Sequence, residues 1–374
     1  MRSALVLGLT LGATAVNLAF WLGPTRRLRA LLGKLEAKPE SSAKPPAVSV
    51  IAAVRDEGHR VDALLDDLLA QRHPELEVVV CDDDSADDTG ERLAARAARD
   101  ARLRPLTLRP KRAPGKKAAL THCILAARHD WLLAIDADCR PASPTWATEM
   151  LAAAGPYDEV VLGYSPYLPS PTPSWLNRWI RFEAFYTAVQ YLSAALAGRP
   201  YMGVGRNLLY GRGLFGAVGG FRDHAHLAGG DDDLLVSAAA RRGRGVAVCV
   251  APAAWTYSEA HGTWAAYRRQ KRRHLSVAPA YRLADRLWLA ALAVSHVGHY
   301  AGAAALVASG RGRTALLIYM VRGAAVWRRA AELAGGLGLA DLRAYLPLAD
   351  AATAAYYVFA AASLGRRGSA TKAW

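Results

Sequence analysis

The stretch Asp130-Trp131-Leu132-Leu133-Ala134-Ile135-Asp136-Ala137-Asp138-Cys139 decides how this chain is read. A short apolar run bounded by turn-prone residues reads as a buried strand, and this one stops abruptly at two carboxylates separated by one alanine. Side chains alternate along an extended chain, so Asp136 and Asp138 share one side of the backbone if extension persists. Two hard oxygen ligands at a strand's carboxyl end suit Mg2+ or Mn2+ held together with substrate phosphates. The plain alternative is a solvated acidic turn, because D-x-D on its own is common. The sequence on either side decides between them.

Upstream, Ala47–Ala53 is a second buried-strand pattern, followed by the loop Arg55-Asp56-Glu57-Gly58. Leucines at helical spacing over Val61–Gln71 predict a helix. The next strand, Glu77–Cys81, ends in Asp82-Asp83-Asp84-Ser85, and a helix is expected to run to about Arg99. Leu106–Leu108 is a third strand. Pro114-Gly115-Lys116-Lys117 opens a helix through His129, and Val160–Gly163 is a further strand beyond the D-x-D segment. Such β-α-β-α alternation predicts a mostly parallel sheet with helices on both faces. Ligands in such sheets sit beyond the carboxyl ends of the strands. Arg55–Glu57, Asp82–Asp84 and Asp136–Asp138 all fall at such ends.

Downstream, Pro166–Pro173 breaks the pattern and Trp175–Leu196 is a long aromatic-rich helix. Gly203-Val204-Gly205-Arg206-Asn207 is glycine-rich but lacks the Gly-Lys-Ser/Thr ending of a P-loop. Gly229-Gly230-Asp231-Asp232-Asp233 precedes a helix. One Asp suffices to cap a helix, worth about 1 kcal/mol; three after paired glycines point to a site. Val246–Val250 is a short strand, and Gln270-Lys271-Arg272-Arg273-His274 is a dense basic cluster, whose plain reading is a solvated or lipid-facing helix face.

The ends of the chain are apolar. Ala4–Leu22 is almost free of charge and matches the roughly 20 residues that cross a bilayer. The apolar run continues through Phe20-Trp21-Leu22 before Arg26, Arg27 and Arg29, which favours an uncleaved anchor over a signal peptide cut near Ala13-Thr14-Ala15. The basic flank places the bulk of the chain in the cytoplasm. Leu287–Ala308 is long enough to span. Thr314–Trp327 carries Arg322 and Tyr345–Leu364 carries Asp350, so the C-terminal part holds two or three hydrophobic helices. The expected organisation is an anchor at 1–24, a basic, Pro-rich linker at 25–46, a catalytic domain at 47–280 and a membrane region at 281–374, in a multi-pass protein of the cell inner membrane.

Bulk composition is consistent with this. The 374-residue chain has a formal net charge of +15. No zinc-finger spacing, helix-turn-helix cue or basic–aromatic RNA signature accompanies the charge, so nucleic acid is not an expected partner; an anionic cytoplasmic leaflet is. The four cysteines show no C-x-x-C spacing and fit a reducing compartment.

Over about Val48–His274 the sequence resembles membrane-anchored family 2 glycosyltransferases, which have the GT-A nucleotide-diphosphosugar transferase fold. Val48–Glu57 matches the family's opening strand and R-N-E-like loop, with Asp56 where Asn is usual. Asp82-Asp83-Asp84-Ser85-Ala86-Asp87-Asp88-Thr89 matches D-D-G-S-x-D-D-T, with Asp84 in place of glycine. Gly115–Leu120 matches G-K-x-x-A-L, Asp136–Asp138 is the D-x-D element, and Gly230–Asp233 corresponds to the acidic element that carries the base. Gln270–His274 looks like Q-x-x-R-W with His274 in the tryptophan position.

The resemblance implies an inverting α/β enzyme. Its donor is a nucleotide sugar, UDP-linked by expectation, and its acceptor a lipid or glycan at a membrane. It implies that Glu57, Asp82 and Asp83 bind the nucleoside, that Lys116 helps hold the donor, and that Asp138 with Asp136 binds Mg2+ or Mn2+. One of Asp231 and Asp232 is the general base: the E-D-x-D-L form of the motif puts it on Asp231, and the local Gly-Asp-Asp match favours Asp232. Gln270 and Arg273 hold the diphosphate or the acceptor end. Two rival readings are a nucleotidyltransferase of the same fold, whose Gly- and Arg-rich loop after the first strand has no counterpart here, and a catalytically weak membrane scaffold that binds nucleotide sugars.

Overall fold

A computed structural model describes residues 2–34, 45–111 and 115–365. Its elements run in chain order as α1 (Arg2–Leu22), α2 (Thr25–Leu32), β1 (Val48–Val54), α3 (Val61–Leu69), β2 (Leu76–Asp82), α4 (Thr89–Ala97), β3 (Leu103–Thr107), α5 (Lys117–Ala126), β4 (Trp131–Ala134), β5 (Cys139–Pro141) and α6 (Trp146–Ala152). They continue as β6 (Asp158–Leu162), α7 (Trp175–Leu196), β7 (Leu208–Gly211), α8 (Arg212–Ala217), α9 (Asp233–Arg241), β8 (Gly245–Val248), β9 (Thr256–Ser258), α10 (Trp264–Leu275), α11 (Leu283–Ala308), α12 (Gly312–Gly336) and α13 (Leu346–Gly365).

The central sheet has seven strands in the order β3-β2-β1-β4-β7-β6-β8. β1 pairs in parallel with β2 and β4, and β2 with β3. All seven residues of β1 and of β2 are buried, as expected of parallel strands covered on both faces. The alternation along β1 sorts its residues between two cores. Val48, Val50, Ala52 and Val54 pack with Leu64, Leu65 and Leu68 of α3 and Trp146 of α6. Ile51 and Ala53 point the other way, to a core with Ala119 and Cys123 of α5 and the aromatic residues of α7. This sidedness follows from the two-residue period of a strand.

β7 runs antiparallel to both β4 and β6, so the sheet is mostly rather than wholly parallel. β5, a few residues beyond β4 in the chain, pairs antiparallel with β9 in a separate two-stranded sheet.

The terminal helices form one bundle. α1 packs along α11 and α12, and α13 packs against α11. Small residues set the spacing: a Cβ on Gly302 of α11 would lie 2.2 Å from Thr10 Oγ1 of α1, so the backbones approach closely there. The segments Ser3–Leu32 and Leu283–Ala308 are long and apolar enough to cross a membrane.

The span 25–46, expected as a linker, begins instead with α2. Its Thr25 and Leu28 are buried, and it packs against α7 and α12. Residues 35–44 of the expected linker and the basic end 366–374 lie outside the described residues.

Candidate active site

The carboxyl ends of β1 and β2 are tied together through their loops. Asp56 N–H donates to Ser85 Oγ at 2.9 Å, Ala86 N–H to Asp56 Oδ1 at 2.8 Å, and Glu57 N–H to Thr89 Oγ1 at 2.8 Å. Asp56 and Asp84 both have left-handed backbones, φ 54° and 65°. Asp and Asn tolerate this region better than other non-glycine residues. Asp84 therefore keeps the turn that glycine would make, and its Oδ2 accepts from Lys111 N–H at 3.1 Å.

Each nucleoside candidate already has a cationic neighbour. Asp82 accepts from Ser85 N–H at 2.9 Å and faces Arg109 at 3.4 Å. Asp83 is fully buried and paired with Lys111, while its Oδ1 has no hydrogen-bond partner among the described residues. An unpaired buried acceptor is costly unless something supplies a donor, and a base or ribose donor suits it. Glu57 pairs with Arg60, and burial raises its pKa.

The D-x-D segment departs from simple extension. β4 ends at Ala134, and Cys139 N–H donates to Asp136 O at 3.1 Å, closing a turn. The two carboxylates consequently have different surroundings rather than one shared face. Asp136 pairs with Lys116. Asp138 is exposed, with one oxygen facing the Cys139 thiol at 3.3 Å.

Lys116 joins this strand end to the acidic turn, its Nζ 3.0 Å from Asp231 Oδ2. Burial alone would lower the Lys116 pKa, but Asp136, Asp231 and Asp232 outweigh it and keep the ammonium charged. The neighbouring Gly115 has φ 72°, and a Cβ there would lie 2.4 Å from Ala228 O. Only glycine fits that close approach. Lys117, also buried, donates to the carbonyls of His224, Leu227 and Gly229, so one short segment fastens the loop that carries the acidic triplet.

The three aspartates of the triplet differ. Asp232 caps α9: its Oδ1 accepts from Asp233 N–H at 2.8 Å and its Oδ2 from Gly205 N–H at 2.6 Å. Burial pushes its pKa up, but these hydrogen bonds and Lys116 more than reverse that and hold it low. Asp233 accepts from Tyr281 O–H at 2.6 Å, and burial beside Asp232 pushes its pKa well above the ordinary carboxylate value. Among the described residues, Asp231 has Lys116 as its one ion-pair partner, and burial raises its pKa.

Arg206 is a site residue that the sequence did not single out. It donates to Ser258 Oγ at 3.2 Å and lies 4.4 Å over the Tyr167 ring. Burial works against its charge, yet Tyr167, Cys139, Asp138 and Asp136 together keep it protonated. Its signal was the Gly-Val-Gly-Arg loop, but Ser258 and Tyr167, which hold it, are remote in sequence. Gln270 reaches this corner too, donating to Tyr167 Oη at 3.3 Å. Arg273 is half-buried on the same helix, Lys271 turns away to Glu183, and His274 is exposed.

Among the described residues, no three His, Cys, Asp or Glu side chains group closely enough to cage a metal by themselves. The residues do fit a hard cation that arrives with phosphate oxygens, since Mg2+ is commonly held by one or two carboxylates plus substrate phosphates. Asp138, at the end of the D-x-D segment, is exposed.

Residues 49–213 match the family described as Glycosyl transferase family 2. No curated protein sequence matches the chain. Among solved structures, the mannosyltransferase PcManGT from Pyrobaculum calidifontis, in complex with GDP-Man and Mn2+, is similar with a TM-score of 0.58 at 21% identity, over 96% of this chain and 98% of that one. TarS 1-349 from S. aureus gives a TM-score of 0.42 at 16% identity, over 86% and 92%. The first of these shows a shared GT-A-like fold. Residues 49–213 of the chain thus form a glycosyl transferase family 2 domain.

Proposed function

We propose that this protein is a membrane-bound, inverting glycosyltransferase. It moves a sugar from a nucleoside diphosphate donor to a hydroxyl of a lipid or glycan at the cytoplasmic face. The observation that carries the reading is Lys116 held between Asp136 and Asp231, with Asp138 exposed beside them. One strand end thus presents a carboxylate for a cation, a cation for a phosphate and a carboxylate for a proton.

Asp138, with Asp136 adjacent, holds Mg2+ or Mn2+; when bound, that ion neutralises charge on the departing diphosphate. Lys116, Arg206 and Arg273 offer further positive charge to the diphosphate, and an Arg fork suits phosphate oxygens. Glu57, Asp82 and Asp83 face the nucleoside, and Gln270 fixes Tyr167 beneath Arg206. The acceptor oxygen attacks the anomeric carbon, the bond from that carbon to the diphosphate breaks, and the nucleoside diphosphate leaves with the electron pair. The acceptor proton goes to a carboxylate. The Gly-Asp-Asp match pointed to Asp232, but both of its oxygens are occupied by backbone N–H groups. Asp231 has a freer oxygen and a pKa raised by burial, which suits a base working near neutral pH.

The uridine-linked donor rests on the resemblance alone. The GDP-Man complex of the structural relative favours testing a guanosine-linked donor beside it. The helical segments Ser3–Leu32 and Leu283–Ala308 and the basic flank Arg26, Arg27 and Arg29 support a membrane protein with a cytoplasmic catalytic domain. Reporter fusions after Lys38 and inside residues 48–274 test the topology: cytoplasmic activity from both is expected, and periplasmic activity from either contradicts it.

A further inference from the structure

Beside the catalytic cleft, α7, α10 and α13 enclose an aromatic groove of about 350 Å³. Trp175 and Trp179 come from α7, Trp264 and Tyr267 from α10, and Tyr356 and Phe359 from α13. On α13 the groove takes positions 352, 355, 356 and 359, one helical face. Its walls are tied together: Trp179 Nε1–H donates to Tyr267 Oη at 2.9 Å, and the Trp179 and Tyr356 rings lie 5.8 Å apart. Yet Trp175 is 61% exposed and Trp264 51% exposed. Large aromatic side chains left open in this way mark a binding surface or a membrane interface.

The charge beside the groove is cationic. Arg268 lines it, and Arg269 and Arg272 are exposed on the same helix. α10 also links the groove to the cleft. Trp264, Tyr267 and Arg268 face the groove, while Gln270 meets Tyr167, whose ring carries Arg206. From Trp264 to Arg273 the helix advances roughly 13 Å, comparable with an extended phosphodiester head group.

We propose that the groove seats a hydrocarbon chain of the acceptor, and that the acceptor is an anionic phospholipid with a free hydroxyl in its head group. This rests on the glycosyltransferase reading above. The aromatic walls take the chain, Arg268 and its neighbours take the phosphodiester, and the head-group hydroxyl reaches the carboxylate at Asp231. That oxygen attacks the anomeric carbon, its proton goes to Asp231, and the nucleoside diphosphate leaves.

The test uses the full-length protein in nanodiscs and a phosphatidylglycerol probe with a diazirine at the end of one acyl chain. Labelled peptides are mapped by mass spectrometry. Label is expected on peptides containing Trp264 or Tyr356. Ala355→Trp, which fills the groove, and Arg268→Gln are expected to reduce it about tenfold. Leu316→Trp, on an exposed apolar position of α12, should leave it unchanged. With the accepted donor present, the labelled adduct should gain the mass of one sugar. Label spread over exposed apolar helix faces and indifferent to Ala355→Trp overturns the groove. So does equal labelling by a phosphatidylcholine probe, or an adduct without sugar in protein that releases nucleoside diphosphate. Arg268→Gln decides if Ala355→Trp lowers thermal stability. Failure to release nucleoside diphosphate with any donor defeats the glycosyltransferase reading instead, and the labelling still reports on the groove.

Discussion

Lys116 Nζ lies 3.0 Å from Asp231 Oδ2, so the glycine–lysine turn before α5 meets the acidic turn before α9. The same ammonium pairs with Asp136. A single cation thus fixes the relative positions of the D-x-D segment and the carboxylate proposed as base. Neither contact follows from any local sequence rule, because both depend on how the parallel strands bring their ends together.

The two neighbouring aspartates should separate by function. Asp231→Asn is expected to lower transfer by ~10² to 10⁴, the usual cost of losing a general base, with donor binding little changed. Asp232→Asn keeps one acceptor oxygen and loses the other, so it should retain the cap on α9 and loosen the clamp on Gly205, costing about 1 kcal/mol, and should lower turnover by less than Asp231→Asn does. Steady-state kinetics and thermal melts of both variants check this. The reverse order of rates returns the base to Asp232.

Within the helical bundle, Arg322 and Asp350 form a fully enclosed bidentate pair, with Arg322 Nη2 also donating to Asn17 Oδ1 at 2.8 Å and Tyr300 O–H to Asp350 at 2.7 Å. Breaking a buried pair by removing one partner typically costs about 3–5 kcal/mol, a large fraction of the roughly 5–15 kcal/mol that holds a domain folded. Arg322→Leu or Asp350→Leu alone should therefore sharply lower the melting temperature in detergent. The double variant should recover much of the loss, and a double-mutant cycle measures it. Additive losses would mean that the two charges are not coupled.

His224 provides a pH signature for the loop fastened by Lys117. Burial, reinforced by the Lys117 charge, pushes its pKa from the ordinary 6.5 down to about 4. The unfolded chain accepts a proton below about pH 6.5 that the folded chain refuses until about pH 4. Stability from this group is therefore complete above pH 6.5 and declines as pH falls towards 4. Thermal unfolding across this range should show a drop that is smaller in His224→Gln. An identical slope in the variant would remove His224 as the cause.

Much of the architecture was legible because parallel strands buried on both faces read as apolar runs, as in Val48–Val54 and Leu76–Asp82. The acidic ends of β1, β2 and β4 could then be placed at one edge. Other parts were not legible. Leu208–Gly211 is four residues long and runs straight into α8, too short for a period, so the antiparallel β7 gave no signal. Arg206 depends on Tyr167 and Ser258, distant residues that no spacing reveals. The turn at Asp136–Cys139, beyond which the two D-x-D carboxylates have different neighbours, leads into β5, whose partner β9 is remote in sequence. Arg322 and Asp350 each weakened the apolar pattern of their helices, and only the fold shows that they neutralise one another.

The most direct test of the central claim is nucleoside diphosphate release by detergent-purified protein offered a panel of uridine- and guanosine-linked sugars with Mn2+. The account predicts release from one donor class, its loss on chelation, and its loss in an Asp138→Asn variant that melts like the wild type. Absence of release from every donor, or undiminished metal-dependent turnover by Asp138→Asn, would contradict it.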